Sequence, residues 1–171
     1  DIGTTNIKAL VFDQHGRELA SSSRPTPTHY PRPTWAYHKP DEIWQCTKDV
    51  LREVLSQIGG AGRIASIAVT SVGESGVPLD KNGNATSDII AWFDGRTAAQ
   101  AEWLERKIGR ETIYELSGVP LRPIFGMCKI LWLKENEPEA YARTTSWLNV
   151  ADYVAYLLSG EMATDYSLAS R

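Results

Sequence analysis

The stretch from Asp1 to Asp13 constrains this chain more than any other. Asp1-Ile2-Gly3-Thr4-Thr5-Asn6-Ile7-Lys8 gathers an acid, a glycine, two hydroxyls and a cation, and Ala9-Leu10-Val11-Phe12 continues at once as an apolar run of β type. A turn follows in Asp13-Gln14-His15-Gly16-Arg17, and Glu18-Leu19-Ala20-Ser21-Ser22 returns as a second strand, so the chain is committed to a β-hairpin. His15 sits in that turn and reads as a solvated side chain.

The residues ahead of the hairpin have the composition of a phosphate-handling loop. Gly3 lets backbone N–H groups approach an anion, Thr4 and Thr5 add hydroxyl donors, Lys8 adds a point charge, and Asp1 is suited to holding a divalent cation through water. The same residues also suit an ordinary tight turn.

With 171 residues and 42% hydrophobic content the chain can bury one substantial core, so one domain is expected. A net charge of -3 with both signs interspersed offers no basic stripe for nucleic acid and no polybasic patch for a membrane. No apolar run reaches the roughly 20 residues of a membrane span. Cys46 and Cys128 lack metal-ligand or redox spacing and read as reduced packing residues of a cytosolic, hence cytoplasmic, protein.

Further along, Arg24 to Pro40 is rich in proline and aromatic residues and reads as irregular. Asp41 to Ile58 has helical periodicity and ends at Gly59-Gly60. Ile64 to Thr70 is a β-branched run, expected to be a strand buried on both faces, and it delivers Ser71-Val72-Gly73-Glu74-Ser75-Gly76. A carboxylate among glycines just past a buried strand is where open α/β sheets place ligands. Val77 to Asp80 reads as a short strand, with Pro78 requiring an edge or a bulge. The chain returns through Ile89-Ile90-Ala91 to Trp92-Phe93-Asp94-Gly95-Arg96-Thr97. A Trp face can pack on a polyol while an acid or Arg binds its hydroxyls; alternatively Trp92 is core and Asp94 and Arg96 simply pair.

Helices are expected from Thr97, as the cap, to Lys107, over Glu111 to Leu116, and along Met127 to Asn136, whose Met and Trp stripe reads as core. Another short helix starts at Pro138. Trp147-Leu148 should be a strand, followed by a helix from Asn149, with Asp152 answering as in a capping box, to Gly160.

Asp-x-Gly-Thr-Thr-x-x-Lys followed by Ala-x-Val-Phe-Asp resembles the first phosphate motif of the FGGY carbohydrate kinases. Trp35, Pro40 and Trp44, the Trp92 to Arg96 segment, Lys-x-x-Trp-Leu-x-Glu-Asn from Lys129, and Thr164 to Arg171 are similar to later family segments in the same order. The resemblance implies the amino-terminal domain, residues 1–171, with an RNase H-like α/β fold of the actin/hexokinase-like ATPase superfamily, a mixed sheet with flanking helices. It implies ATP and Mg²⁺ as cofactors and transfer of the γ-phosphoryl of ATP to a pentulose, hexulose, aldonate or polyol.

By the same resemblance Asp1 and Lys8 are catalytic, with Asp1 also on the metal. Gly3, Thr4 and Thr5 meet the phosphates, and Gly73, Glu74, Trp92, Asp94 and Arg96 bind the sugar. Asp165 supports the cleft. The general base, an Asp in a Gly-rich segment, is expected beyond Arg171, as is the adenine-binding domain. The first strand is expected ahead of Asp1, so these residues read as a piece of a longer enzyme, inactive alone, with room for a homodimer. Gly73 beside Glu74, and Ile124 where glycerol-specific members place Tyr, depart from the family pattern and leave the sugar open. A non-enzymatic sugar sensor of the same fold and an actin-type ATPase are the competing functions.

Overall fold

In a computed structural model of the chain, residues 1–170 are described; Arg171, the last residue of the motif read at 164–171, lies outside them. Strand β1 (Asn6–Phe12) and strand β2 (Glu18–Pro25) form the expected antiparallel hairpin, with Lys8 opposite Ser23 and a register shift between Val11 and Phe12. The Asp13 carboxylate closes the turn by accepting from the backbone N–H groups of His15 and Arg17.

One face of the hairpin carries the buried Ile7, Ala9 and Ala20, and helix α1 (Pro40–Gln57) lies against it through Ile43, Val50 and Val54. The helix has no side-chain cap, a loss of about 1 kcal/mol. Burying each of those aliphatic groups returns about 1.5–3 kcal/mol, so packing decides that the helix forms.

The proline-rich segment is irregular apart from the short strand β3 (Tyr37–His38), which pairs with β5 (Ile89–Ile90). Strand β4 (Gly76–Leu79) is buried throughout and pairs with β6 (Ser146–Asn149), Pro78 facing Trp147. The regular pairing among the described residues is therefore three two-stranded antiparallel ladders, with a parallel bridge between Ile2 and Ser71. The helices α2 (Ala98–Lys107), α3 (Arg110–Ser117), α4 (Gly126–Asn136), α5 (Pro138–Arg143), α6 (Val150–Ser159) and α7 (Tyr166–Ala169) complete the α/β fold. A second core cluster joins Ala101, Leu104, Ile113, Leu121 and Cys128. None of the helices, among the described residues, is long and apolar enough to cross a membrane.

Three expectations are corrected. Ile64 to Thr70 is not a doubly buried strand; Ile67 is 57% exposed and the segment joins no ladder. An extended run becomes a strand only where a neighbour takes its hydrogen bonds. Here that neighbour, among the described residues, is Ile2, which donates to the Thr70 carbonyl and accepts from the Val72 N–H.

Thr97 stands at the start of α2 without capping it, because its hydroxyl donates to the Pro123 carbonyl at 2.7 Å. Asn149 likewise precedes α6 with no side-chain cap, although Asp152 accepts from its backbone N–H, which is half of the expected box.

Candidate functional site

The loop before β1 is itself a narrow hairpin. Asp1 and Lys8 exchange backbone hydrogen bonds of 2.9 and 2.8 Å, Ile2 bridges Ile7, and the Gly3 N–H donates to the Asn6 carbonyl at 2.9 Å. Thr4 and Thr5 are the exposed tip, and Asp1 and Lys8 stand directly opposite each other at the open end. Of the two alternatives on sequence grounds, the tight turn is the geometry observed. A Cβ on Gly3 would lie 2.9 Å from the Asn6 carbonyl oxygen, so only glycine lets the two arms close this far. Thr26, for which the sequence raised no expectation, ties the loop to β2: its N–H donates to the Thr5 carbonyl and its hydroxyl to the Gly3 carbonyl.

The aromatic segment meets this tip. Trp92 donates its indole N–H to the Thr4 hydroxyl at 3.0 Å, while its ring stays 38% exposed and stands edge-on to Phe93. Behind it, Asp94 is buried. Its carboxylate accepts from the Ala36 N–H at 2.5 Å, the Arg96 N–H at 2.8 Å, and the Arg96 Nε and Nη2 at 2.9 and 2.8 Å. The Arg96 guanidinium lies over Trp35 at 4.0 Å and over Trp132 at 4.9 Å. The paired reading of Asp94 and Arg96 is therefore the observed one, whereas Trp92 is at the surface rather than in the core. Trp35 takes a structural place, as expected, and Trp44 packs against the main core.

Glu74 lies in the turn leading into β4. It is 6% exposed and has φ +63, left-handed for a residue with a side chain. Gly73 beside it is half-buried, and Ser75 is fully buried with a hydroxyl that meets no hydrogen-bond partner among the described residues. The Glu74 carbonyl accepts from the ammonium of Lys129 on α4. Burial lowers the Lys129 pKa to about 8, opposed by the charges of Glu74 and Asp94. The sequence placed Lys129 only within a motif and a core stripe; the signal it carried was a cation at an apolar helical position between Cys128 and Ile130.

Asp165, expected to support the cleft, accepts from the Leu168 N–H and caps α7. Neighbouring Thr164 donates to the Asp152 carboxylate. No cluster of three or more His, Cys, Asp or Glu suited to a metal occurs among the described residues, so a cation at Asp1 would rely on that carboxylate and on oxygens from ligand or water.

An α/β scaffold whose first hairpin closes tightly at Gly3 and meets the Trp92 segment through Thr4 agrees with a domain of the actin/hexokinase-like ATPase type. Comparison with known proteins narrows this. Residues 1–171 match the "FGGY family of carbohydrate kinases, N-terminal domain" over their whole length, and the chain belongs to that family. The chain is 33% identical over 171 residues to L-fuculokinase of Escherichia coli K12, covering 99% of this chain and 36% of that protein. It is 34% identical over 176 residues to glycerol kinase of Thermococcus onnurineus, covering 100% of this chain and 36% of that protein. The crystal structure of gluconate kinase from Lactobacillus acidophilus superposes with a TM-score of 0.90 at 25% identity, covering 99% of this chain and 34% of that one. The chain thus spans about a third of the length of these relatives.

Proposed function

We propose that the protein containing this chain phosphorylates a hydroxyl of a sugar or polyol with ATP, and that these residues supply the acceptor side and part of the phosphate side of its site. The observation that carries the reading is the Trp92 to Thr4 hydrogen bond, which joins the two halves at one point. The relatives named L-fuculokinase, glycerol kinase and gluconate kinase agree with it. The acceptor is a pentulose, hexulose, aldonate or polyol.

In this reading Asp1 would hold Mg²⁺, since a carboxylate offers the hard oxygen donor that cation prefers. The closed turn at Gly3 fits an anion brought against backbone N–H groups, with the Thr4 and Thr5 hydroxyls at its tip, and Lys8 offsets developing charge. Bound ATP with Mg²⁺ supplies the phosphoryl group and part of its counter-charge. Trp92 offers the ring for the apolar face of the sugar, with Gly73 and Glu74 on the adjoining turn. Asp94 and Arg96 act on the sugar as the wall that holds Trp92, because the Asp94 carboxylate is already engaged by the Ala36 N–H and by Arg96.

A coupled ADP-release assay of the full-length protein with L-fuculose, glycerol, gluconate and xylulose tests this. Turnover with at least one acceptor is expected, falling by about 10²-fold or more in Asp1→Ala. The 171-residue chain alone is expected to show none. Absence of turnover in the full-length protein with every sugar and polyol offered would defeat the reading.

A further inference from the structure

Among the described residues the bulkiest fully buried side chain is a lysine. A lysine on an apolar helix face ordinarily runs its stem along the core and lifts its ammonium into water. Lys129 is 0% exposed and ends instead on the backbone of the turn before β4, donating to the Glu74 carbonyl. Glu74 in turn holds φ +63, a conformation that a residue with a Cβ keeps only when its surroundings hold it there. A buried ammonium and the carbonyl of a left-handed residue meet in one bond.

The charges around Lys129 fit the same role. Glu74 comes from the turn, Asp94 and Arg96 from the segment before α2, Cys128 from α4 itself, and His38 from β3. Asp94 is held by Arg96 through two guanidinium nitrogens, which leaves Glu74 as the main counter-charge to Lys129. Lys129 thus bonds the Glu74 turn and lies within the electrostatic reach of Asp94 and Arg96 in the segment that carries Trp92.

We infer that Lys129 is a positioning residue: it holds the Glu74 turn in its left-handed conformation and so fixes Glu74 at the acceptor side of the site. What the turn binds rests on the proposed kinase reading, while the clamp itself does not. The test therefore has two arms, both on the full-length protein. In Lys129→Met, which keeps the stem and removes the donor, hydrogen exchange of peptides covering residues 72–76 should quicken by about tenfold or more, with residues 6–12 unchanged. For whichever sugar the parent phosphorylates, KM for that sugar should rise by about tenfold while kcat stays within about threefold, a split that a general loss of stability does not produce.

If Lys129→Met loosens residues 6–12 as well, the double variant Lys129→Met with Glu74→Gln removes the opposite charge together with the lysine, and the same local quickening is expected there. Unchanged exchange over residues 72–76 in the variant that keeps residues 6–12 intact overturns the inference. So does local quickening that leaves the sugar KM unmoved in Lys129→Met. A parent that phosphorylates nothing defeats the kinase reading instead, and the exchange arm then decides on the clamp.

Discussion

The indole of Trp92 donates to the hydroxyl of Thr4 at 3.0 Å, linking side chains 88 positions apart in sequence. One partner is at the tip of the loop proposed to meet the phosphates and the other carries the exposed ring proposed to face the sugar. A change at either end is therefore transmitted to the other through a single neutral hydrogen bond.

Trp92→Phe keeps most of the ring and removes the donor, and Thr4→Val removes the acceptor. Each should weaken the dependence of sugar KM on ATP, and a double-mutant cycle should return a coupling of about 0.5–1.5 kcal/mol, the usual net worth of such a bond. Strictly additive effects of the two substitutions on kcat/KM would mean that the bond does not couple the halves.

The Asp94 carboxylate is fully shielded and takes three hydrogen bonds from Arg96 as well as one from Ala36. Breaking a buried pair from one side leaves the other charge unbalanced, here a guanidinium between Trp35 and Trp132. Asp94→Ala should cost about 3–5 kcal/mol of stability by urea denaturation. Arg96→Lys should also lose stability, because an ammonium can neither grip the carboxylate with two nitrogens nor stack flat on two indoles. A loss under about 1 kcal/mol for Asp94→Ala would show that the pair is solvated in solution.

Local pattern announced the elements whose partners lie nearby in sequence. The hairpin was legible because strand, turn and strand are contiguous, and α1 because its apolar stripe repeats at helical spacing. Ile64 to Thr70 was misread for the complementary reason: β-branched residues report that a segment is extended, whereas its burial depends on neighbours from elsewhere. The caps failed similarly, since a Thr at a helix start says nothing of a Pro123 carbonyl arriving from a distant loop. In the site, residue types marked Gly3, Thr4 and Glu74 as chemically apt. That Asp94 would be saturated by Arg96, or that Lys129 would reach the Glu74 carbonyl, belongs to tertiary packing and leaves no periodic trace.

Gly76 opens β4 against the Trp147 indole. A Cβ there would stand 2.2 Å from the ring Cε2 and Nε1, so Gly76→Ala must push Trp147 and loosen the β4–β6 pairing. A loss of about 1–3 kcal/mol is expected, with a changed near-ultraviolet signal from the indole. Gly62, around which nothing lies within 4 Å, is the control; Gly62→Ala should be neutral or slightly stabilising. Equal denaturation midpoints for the two variants would contradict the contact.

The pH dependence of stability should carry the mark of Lys129. Its pKa is lowered from 10.5 to about 8, chiefly by burial. Below about 8 it is charged in both the folded and the unfolded chain, and the fold bears the whole penalty of enclosing an ammonium. Between about 8 and 10.5 the folded chain has released that proton and the unfolded chain keeps it. The unfolded state then binds more protons, so stability rises with pH across that window. Cys128 acts in the opposite sense: burial pushes its thiol from 9.0 up to about 11, so in that interval the folded chain retains a proton the unfolded chain has lost, and stability falls.

The urea midpoint should therefore climb from about pH 8 to 9 and flatten above, where the two opposing changes overlap. Lys129→Met should remove the climb, and Cys128→Ala should extend it toward pH 10.5. Superimposable midpoint-against-pH curves for the parent and Lys129→Met would refute the assignment. An ammonium enclosed at neutral pH at a cost in desolvation, while donating to the Glu74 carbonyl, is what the proposed positioning role requires.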